Sequence, residues 1–305
     1  MVVAVGPQTR DMKRGDKVVV AISGYCNRCV YCKRGKQQAC DRKALKRMDD
    51  QPARAVRYRD GKKLLPGFGL GGFSEYMLVS ENNVALLDLS ENLQHAAFVG
   101  CAALTSYGAI AHANGSKHDE IAIVGAGGLG LFAVKVAALV GVGRISVMDV
   151  NPIKLQYALE YGATDTMLMS DACLKQNHAR YSHVFEMVGG SHMQDTLPVC
   201  MQLLDRGGRL HVVGVPASNI LLPQTSLLSF LIDNQSIVSI NIGNINFRKG
   251  IADVLQLKRS KRLVFDDMLE NIPFDQVNDM YRQEDRKRCA IDFSLPCSVL
   301  NKKAA

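Results

Sequence analysis

From residue 120 onward the chain alternates between short, nearly unbroken apolar runs and longer stretches with helical spacing. Residues 121–124, 145–150, 183–186, 210–213 and 237–240 are mostly apolar, rich in Val and Ile, and of strand length. Residues 129–140 and 153–161 repeat apolar positions at three- and four-residue intervals. Strands alternating with helices predict βαβ units, which require a parallel sheet with helices on its faces. One helix is punctuated at both ends. Asn151 suits an N-cap, Pro152 the first helical position and Gly162 the stop.

Before residue 120 the pattern is that of β structure. Residues 2–5 and 18–22 are β-branched runs separated by a polar turn at 6–17, and residues 73–80 and 83–87 predict two more strands. The stretch 42–66 is charged, weakly periodic and read as a loop. Residues 88–108 begin polar and become a small-residue helix around 96–103. After residue 244 the chain returns to charged helices and a last strand near 289–293. The expected organisation is one domain from 1–104 and 242–305, carrying a cysteine-rich lobe at 25–41, with a second domain at 105–241 between them.

Composition agrees with two domains. The chain has 305 residues, 47% of them hydrophobic and 26 of them Gly, enough to bury two cores at roughly 100–200 residues each. A formal net charge of +8 raises nucleic acid, a membrane surface or an anionic cofactor as partners. The excess is local, between Arg42 and Lys63, where it reads as a solvated loop. That stretch has Tyr58 as its one aromatic and is diluted by Asp49, Asp50 and Asp60, so no nucleic-acid partner is expected. The first 24 residues have no unbroken apolar core, and no run of about 18 apolar residues occurs, so no leader and no membrane partner are expected either. A cytoplasmic location follows as the expectation, with thiols kept reduced.

The strand at 121–124 runs into Gly125-Ala126-Gly127-Gly128-Leu129-Gly130, which opens a helix. Gly125 permits a tight turn, Gly127 lets backbone approach a pyrophosphate, and Gly130 lets helix and strand pack closely. The N–H groups of Gly128 and Leu129 sit at a helix N-terminus, where free N–H groups and the dipole favour phosphate. Asp149 ends the next strand, where a carboxylate can accept hydrogen bonds from ribose hydroxyls and repel a 2′-phosphate. The set predicts a Rossmann dinucleotide site for NAD, with the nearby cations Arg144 and Lys154 keeping NADP open.

Cys26, Cys29, Cys32 and Cys40 place four soft donors on one short segment. Four thiolates close a tetrahedral zinc shell and leave no open position, so such a site is structural. Free thiols and an iron–sulfur cluster are the alternatives that spacing leaves open.

With these motifs in order, the sequence resembles the zinc-dependent medium-chain alcohol dehydrogenases. Further residues carry the likeness. Val5-Gly6-Pro7 through Gly15-Asp16-Lys17-Val18 matches a family stretch, with Thr9 in place of its second Val. Gly71-Gly72-Phe73-Ser74-Glu75-Tyr76, the segment from Gly100-Cys101 to Thr105 and Gly108, and Val213-Gly214-Val215-Pro216 match others. The resemblance implies a doubly wound α/β domain beside a partial GroES-like β-barrel. It also implies a catalytic zinc ligated by Cys101, with Thr105, Val213 and Val215 beside the nicotinamide. Asp149 and Lys154 would then hold the adenosine ribose, and Arg288 the pyrophosphate.

The resemblance further implies NAD-linked oxidation of a small-molecule alcohol to an aldehyde or ketone by a homodimer or homotetramer paired along the strand at 237–240. The family carries an upstream segment with the remaining catalytic zinc ligands. The expectation is therefore a chain truncated at its N-terminus, with doubtful turnover. A non-catalytic NAD-binding protein or a degraded dehydrogenase is the alternative.

Overall fold

The computed structural model describes residues 1–22, 24–41, 58–59, 62–63, 70–169, 178–217, 219–221, 226–280 and 288–295. The chain divides into two compact units. One comprises residues 1–101, 245–255 and 266–305, and the other residues 102–244 and 256–265.

The first unit opens with strand β1 (Val18–Val20), a helical turn α1 (Val30–Lys33) in the cysteine segment, a two-rung hairpin of β2 (Tyr58–Arg59) and β3 (Lys62–Lys63), strand β4 (Val84–Leu86) and helix α2 (Leu93–Phe98). β1 and β4 pair antiparallel, Val18 opposite Leu86. The pairing is extended by Asn83, 1% exposed, whose Nδ2 donates to the Ala21 carbonyl at 2.9 Å. Residues 2–5 and 73–80 do not form the predicted strands. Val2 makes one rung with Asp16 and Gly15, and Phe73, Tyr76 and Leu78 stay exposed. Apolar and β-branched side chains suit a strand, but a strand forms only where a neighbouring ladder takes up its N–H and C=O groups.

The second unit starts with helix α3 (Leu104–Ala113), reached through a π-helical turn at Val99–Ala103. Next come β5 (Glu120–Val124), α4 (Gly128–Val140), β6 (Arg144–Asp149), α5 (Pro152–Glu160), β7 (Asp165–Leu168), β8 (Tyr181–Glu186), α6 (Met193–Gln202), β9 (Leu204–Val212), α7 (Leu227–Ile232) and β10 (Ser236–Ser239). Asn151 caps α5 by accepting from the Ile153 N–H, with Pro152 at its first position and Gly162 beyond its end at φ +107°.

The six strands form one parallel sheet in the order β10-β9-β8-β5-β6-β7. This is the doubly wound arrangement, and its switch point lies between β5 and β8. Ala122, Val124, Met148, Val184 and Leu210 pack on one face with Met193, Leu197 and Cys200 of α6. Each fully buried large apolar side chain contributes about 1.5–3 kcal/mol.

The helical run from Leu93 to Ala113 is long and apolar enough, by length and composition, to cross a membrane; most of it is buried in the protein's own interior. The chain then forms helix α8 (Phe247–Arg259), β11 (Leu269–Ile272), the turn α9 (Val277–Met280) and β12 (Arg288–Ile291), with β11 and β12 parallel. In the first unit, Phe247 meets Tyr25 edge-on at 5.3 Å, and Arg248 donates to the carbonyls of Val84 and Glu81, both at 2.9 Å.

Candidate functional site: the glycine turn and the cysteine lobe

The glycine-rich segment is where the sheet's switch point requires a ligand-binding turn. Gly125 has φ +103°, a left-handed conformation that glycine adopts at little cost. Its N–H donates to the Met148 carbonyl at 2.8 Å. A Cβ on Gly130 would lie 1.9 Å from the Gly125 carbonyl oxygen, so the helix can approach the strand only without a side chain there. Gly127 is different. A Cβ built on it meets nothing within 4 Å, so the space above it is open. Gly127 caps α4 with no side-chain hydrogen bond, and the first-turn N–H groups of Gly128 and Leu129 have no partner within the helix, the arrangement that favours an anion. The turn is held from below by Ser106, whose hydroxyl donates to the Leu129 carbonyl at 2.8 Å.

Asp149, at the end of β6, is bonded back to the glycine turn. Its Oδ2 accepts from the Ala126 N–H at 2.6 Å and its Oδ1 from the Asn151 N–H at 2.9 Å. A carboxylate offers about four lone-pair directions, so about two remain for sugar hydroxyls. Lys154, half-buried, follows in the first turn of α5. On the other side of the switch point, Val213 is buried and Val215 exposed, at the end of β9. Thr105 is buried near the start of α3. These residues all belong to the second unit.

Cys101 and Arg288 belong to the first unit. Cys101 is exposed in the π-helical turn, where a Cβ on neighbouring Gly100 would sit 2.6 Å from Val19. Single π-turns recur at functional sites. Arg288 opens β12, opposite Leu269.

The four lobe cysteines converge. All four Sγ atoms lie within 4.8 Å of one another. Cys26–Cys40, Cys29–Cys40 and Cys26–Cys32 are separated by 3.6, 3.9 and 4.0 Å. A tetrahedral shell at a Zn–S length of about 2.3 Å separates its sulfurs by about 3.8 Å, so the cage fits zinc. Backbone N–H groups already point at the sulfurs, from Cys29 to Cys26 at 3.4 Å and from Cys32 to Cys29 at 3.5 Å. The N–H groups of Asp41 and Cys32 pull the Cys29 thiol down to about 6, so it is a thiolate at neutral pH. Burial pushes Cys32 up to about 12, with Cys29 and Cys40 adding to the rise. Among the described residues no other group of three or more His, Cys, Asp or Glu side chains converges in this way. Among the described residues, Cys101 belongs to no such group, so the co-ligands a catalytic zinc needs do not converge on it there.

One polar cluster gave no signal in the sequence. His183 of β8 and His211 of β9 are both buried, with Nδ1 of the first 3.1 Å from Nε2 of the second. His211 stacks on Phe185 at 4.6 Å. Burial, then His183, His112 and Arg209, hold His211 down to about 3, and burial lowers His183 as well. Both therefore stay neutral. The contact depends on the register of β8 against β9, which has a bulge between Tyr181 and His183.

Comparison with known proteins finds two family matches. Residues 1–89 match the family described as alcohol dehydrogenase GroES-like domain, and residues 128–257 the one described as zinc-binding dehydrogenase. The chain is similar to an S-(hydroxymethyl)glutathione dehydrogenase of Escherichia coli O1:K1, 29% identical over 242 residues, which cover 72% of this chain and 61% of that protein. The chain thus spans about three fifths of the length of the curated relatives it matches. Among solved structures it is similar to an alcohol dehydrogenase zinc-binding domain protein from Burkholderia ambifaria, with a TM-score of 0.81, 26% identity and 92% of this chain and 77% of that chain covered. Benzyl alcohol dehydrogenase from Acinetobacter calcoaceticus shares the fold, with a TM-score of 0.79, 22% identity, and 95% and 81% covered.

Proposed function

The chain belongs to the zinc-dependent medium-chain alcohol dehydrogenase family, and from that premise we propose that it binds NAD at the glycine turn, holds one structural zinc, and descends from an enzyme oxidising an alcohol to an aldehyde or ketone. The observation that carries the reading is the pairing of an open Gly127 with Asp149 anchored on the Ala126 N–H. The first-turn N–H groups of Gly128 and Leu129 take the diphosphate. Asp149 keeps its two backbone bonds and accepts the ribose hydroxyls with its remaining lone pairs, where a 2′-phosphate would meet its negative charge. Lys154 lies close enough in sequence to reach the same ribose. Thr105, Val213 and Val215 are assigned to the nicotinamide end, where valine side chains exclude water from one ring face. Arg288 is assigned to the pyrophosphate and Cys101 to the catalytic metal, both on resemblance. Bound NAD would supply the hydride acceptor.

The four lobe thiolates would hold zinc as a closed shell, stabilising a loop with little apolar surface of its own. In zinc peptides such sites supply about 10–16 kcal/mol of apparent binding energy.

Alcohol turnover by these 305 residues is expected to be weak, because Cys101 has no converging co-ligands among the described residues. The same observation favours a second reading, a dinucleotide-binding protein without turnover. Incubating the purified chain with NAD and a panel of primary and secondary alcohols, and following NADH absorbance, separates the two. Rates below about a hundredth of a typical kcat near 10 s⁻¹ are expected; rates within about tenfold of that value overturn the assignment of weak turnover.

A homodimer or homotetramer is the proposed assembly. β10 is an edge strand, and in α7 Leu227, Leu228, Leu231 and Ile232 are 65–77% exposed, an apolar surface unusual for a monomer. Light scattering at micromolar concentration tests it.

A further inference from the structure

Glu186 is the last residue of β8, directly opposite Val124 of β5, and so stands at the sheet's switch point one residue from the glycine turn. It is 0% exposed. A wholly buried acidic side chain at this position needs a physical reason, because burial of a carboxylate is costly unless its oxygens are bonded. One oxygen is well supplied. Oε1 accepts from the backbone N–H groups of Val188 and Gly189, both at 3.1 Å, and from the Thr196 hydroxyl at 2.9 Å. Oε2 is buried without a donor among the described residues.

The surroundings explain why it is kept. A Cβ on Gly214 would lie 2.4 Å from Oε2 and 2.5 Å from the Gly189 nitrogen. The carboxylate thus fills the place where β9's end lacks a side chain. The main chain of Glu186 reaches the same loop, its carbonyl accepting from the Val213 and Gly214 N–H groups, each at 3.0 Å. The loop that Oε1 gathers touches the glycine turn too, since a Cβ on Gly125 would meet Val188 at 2.8 Å. The Gly190 N–H then donates to the Val215 carbonyl at 2.8 Å.

We propose that Glu186 is a positioning residue for the nicotinamide half of the dinucleotide: its carboxylate clasps the 187–190 loop against the end of β9 and so sets the separation between the glycine turn and the Val213–Val215 wall. The proposal rests on the dinucleotide reading above. Among the described residues the side-chain hydrogen bonds of Glu186 go to Val188, Gly189 and Thr196, none of them at Asp149 or the first turn of α4, so its effect is expected at one end of the ligand.

The test compares two ligands on the full 305-residue chain by calorimetry, NADH and ADP-ribose, the latter having every group but the nicotinamide. Glu186→Gln keeps an oxygen for the three donors but removes the negative charge that strengthens their bonds and tightens the loop. NADH affinity is expected to fall roughly tenfold in this variant, with ADP-ribose affinity unchanged within about twofold. Thr196→Val removes one donor and leaves the carboxylate, and is expected to weaken NADH roughly threefold with the same selectivity. It serves where Glu186→Gln does not fold. Equal losses for both ligands, or no loss for either, overturn the positioning role while leaving the dinucleotide site standing. If the unmodified chain binds neither ligand, the dinucleotide reading itself fails, and the clasp with it.

Discussion

The carboxylate of Asp149 accepts the Ala126 N–H at 2.6 Å, so the residue assigned to the ribose also fixes the glycine turn that would hold the diphosphate. Two parts of one ligand's site therefore share an anchor. Asp149→Ala should cost both at once. Hydrogen bonds to a charged group contribute about 1.5–3 kcal/mol each, so NAD affinity should fall by roughly 10- to 100-fold. The preference for NAD over NADP should shrink with it, since the charge opposing a 2′-phosphate is gone. Titrating both cofactors into the variant and the unmodified chain measures this.

Gly127 and Gly130 should respond oppositely to the same change. Gly127→Ala meets open space, so the melting temperature should hold while NAD binding falls, the added methyl standing where the diphosphate comes closest. Gly130→Ala places a methyl 1.9 Å from a backbone oxygen, and about 1–3 kcal/mol of stability or more should be lost. Thermal unfolding of the two variants beside their NAD affinities separates them.

Zinc content should be one per chain, removed by strong chelators. Cys40→Ser should release it, since an alcohol replaces a thiolate in a shell of four. Elemental analysis reads the stoichiometry. Unfolding of the metal-depleted protein should begin at a lower temperature.

The paired histidines make stability depend on pH in a defined window. His183 and His211 are lowered in the folded protein, the second to about 3, mainly by burial. The unfolded chain therefore takes up protons first, near the ordinary imidazole value of 6.5. Their contribution is full above that pH and is lost as pH falls below it, by up to about 1.4 kcal/mol per unit for each imidazole. Asp119 opposes the shift at His183, and Arg209 reinforces it at both. Urea unfolding at pH 7.5 and 5.5 should show this slope, and His211→Phe, matched to the stack on Phe185, should flatten it.

Much of the second unit was legible because its chemistry is local. The βαβ alternation, the cap at Asn151 and the glycine turn each lie within a short stretch of sequence, and each formed where expected. β7 and β11 escaped because Asp165-Thr-Met-Leu and Leu269-Glu-Asn-Ile are short and half polar, and their pairing comes from distant neighbours. Residues 73–80 misled in the opposite direction, since an apolar and aromatic stretch without a partner ladder makes no strand. The stretch 42–57 and residues 60–61 and 64–66 of the expected charged loop lie outside the described residues. The cysteine cage was readable from spacing. The histidine pair was not, because His183 and His211 meet across two strands 28 positions apart.

The central claim is that the glycine turn and Asp149 together grip a dinucleotide. Calorimetric titration of NAD into the purified, zinc-loaded 305-residue chain tests it most directly. One binding site per chain with micromolar affinity, weakened in Asp149→Ala, is the expected result; absence of binding by the unmodified chain would contradict the account.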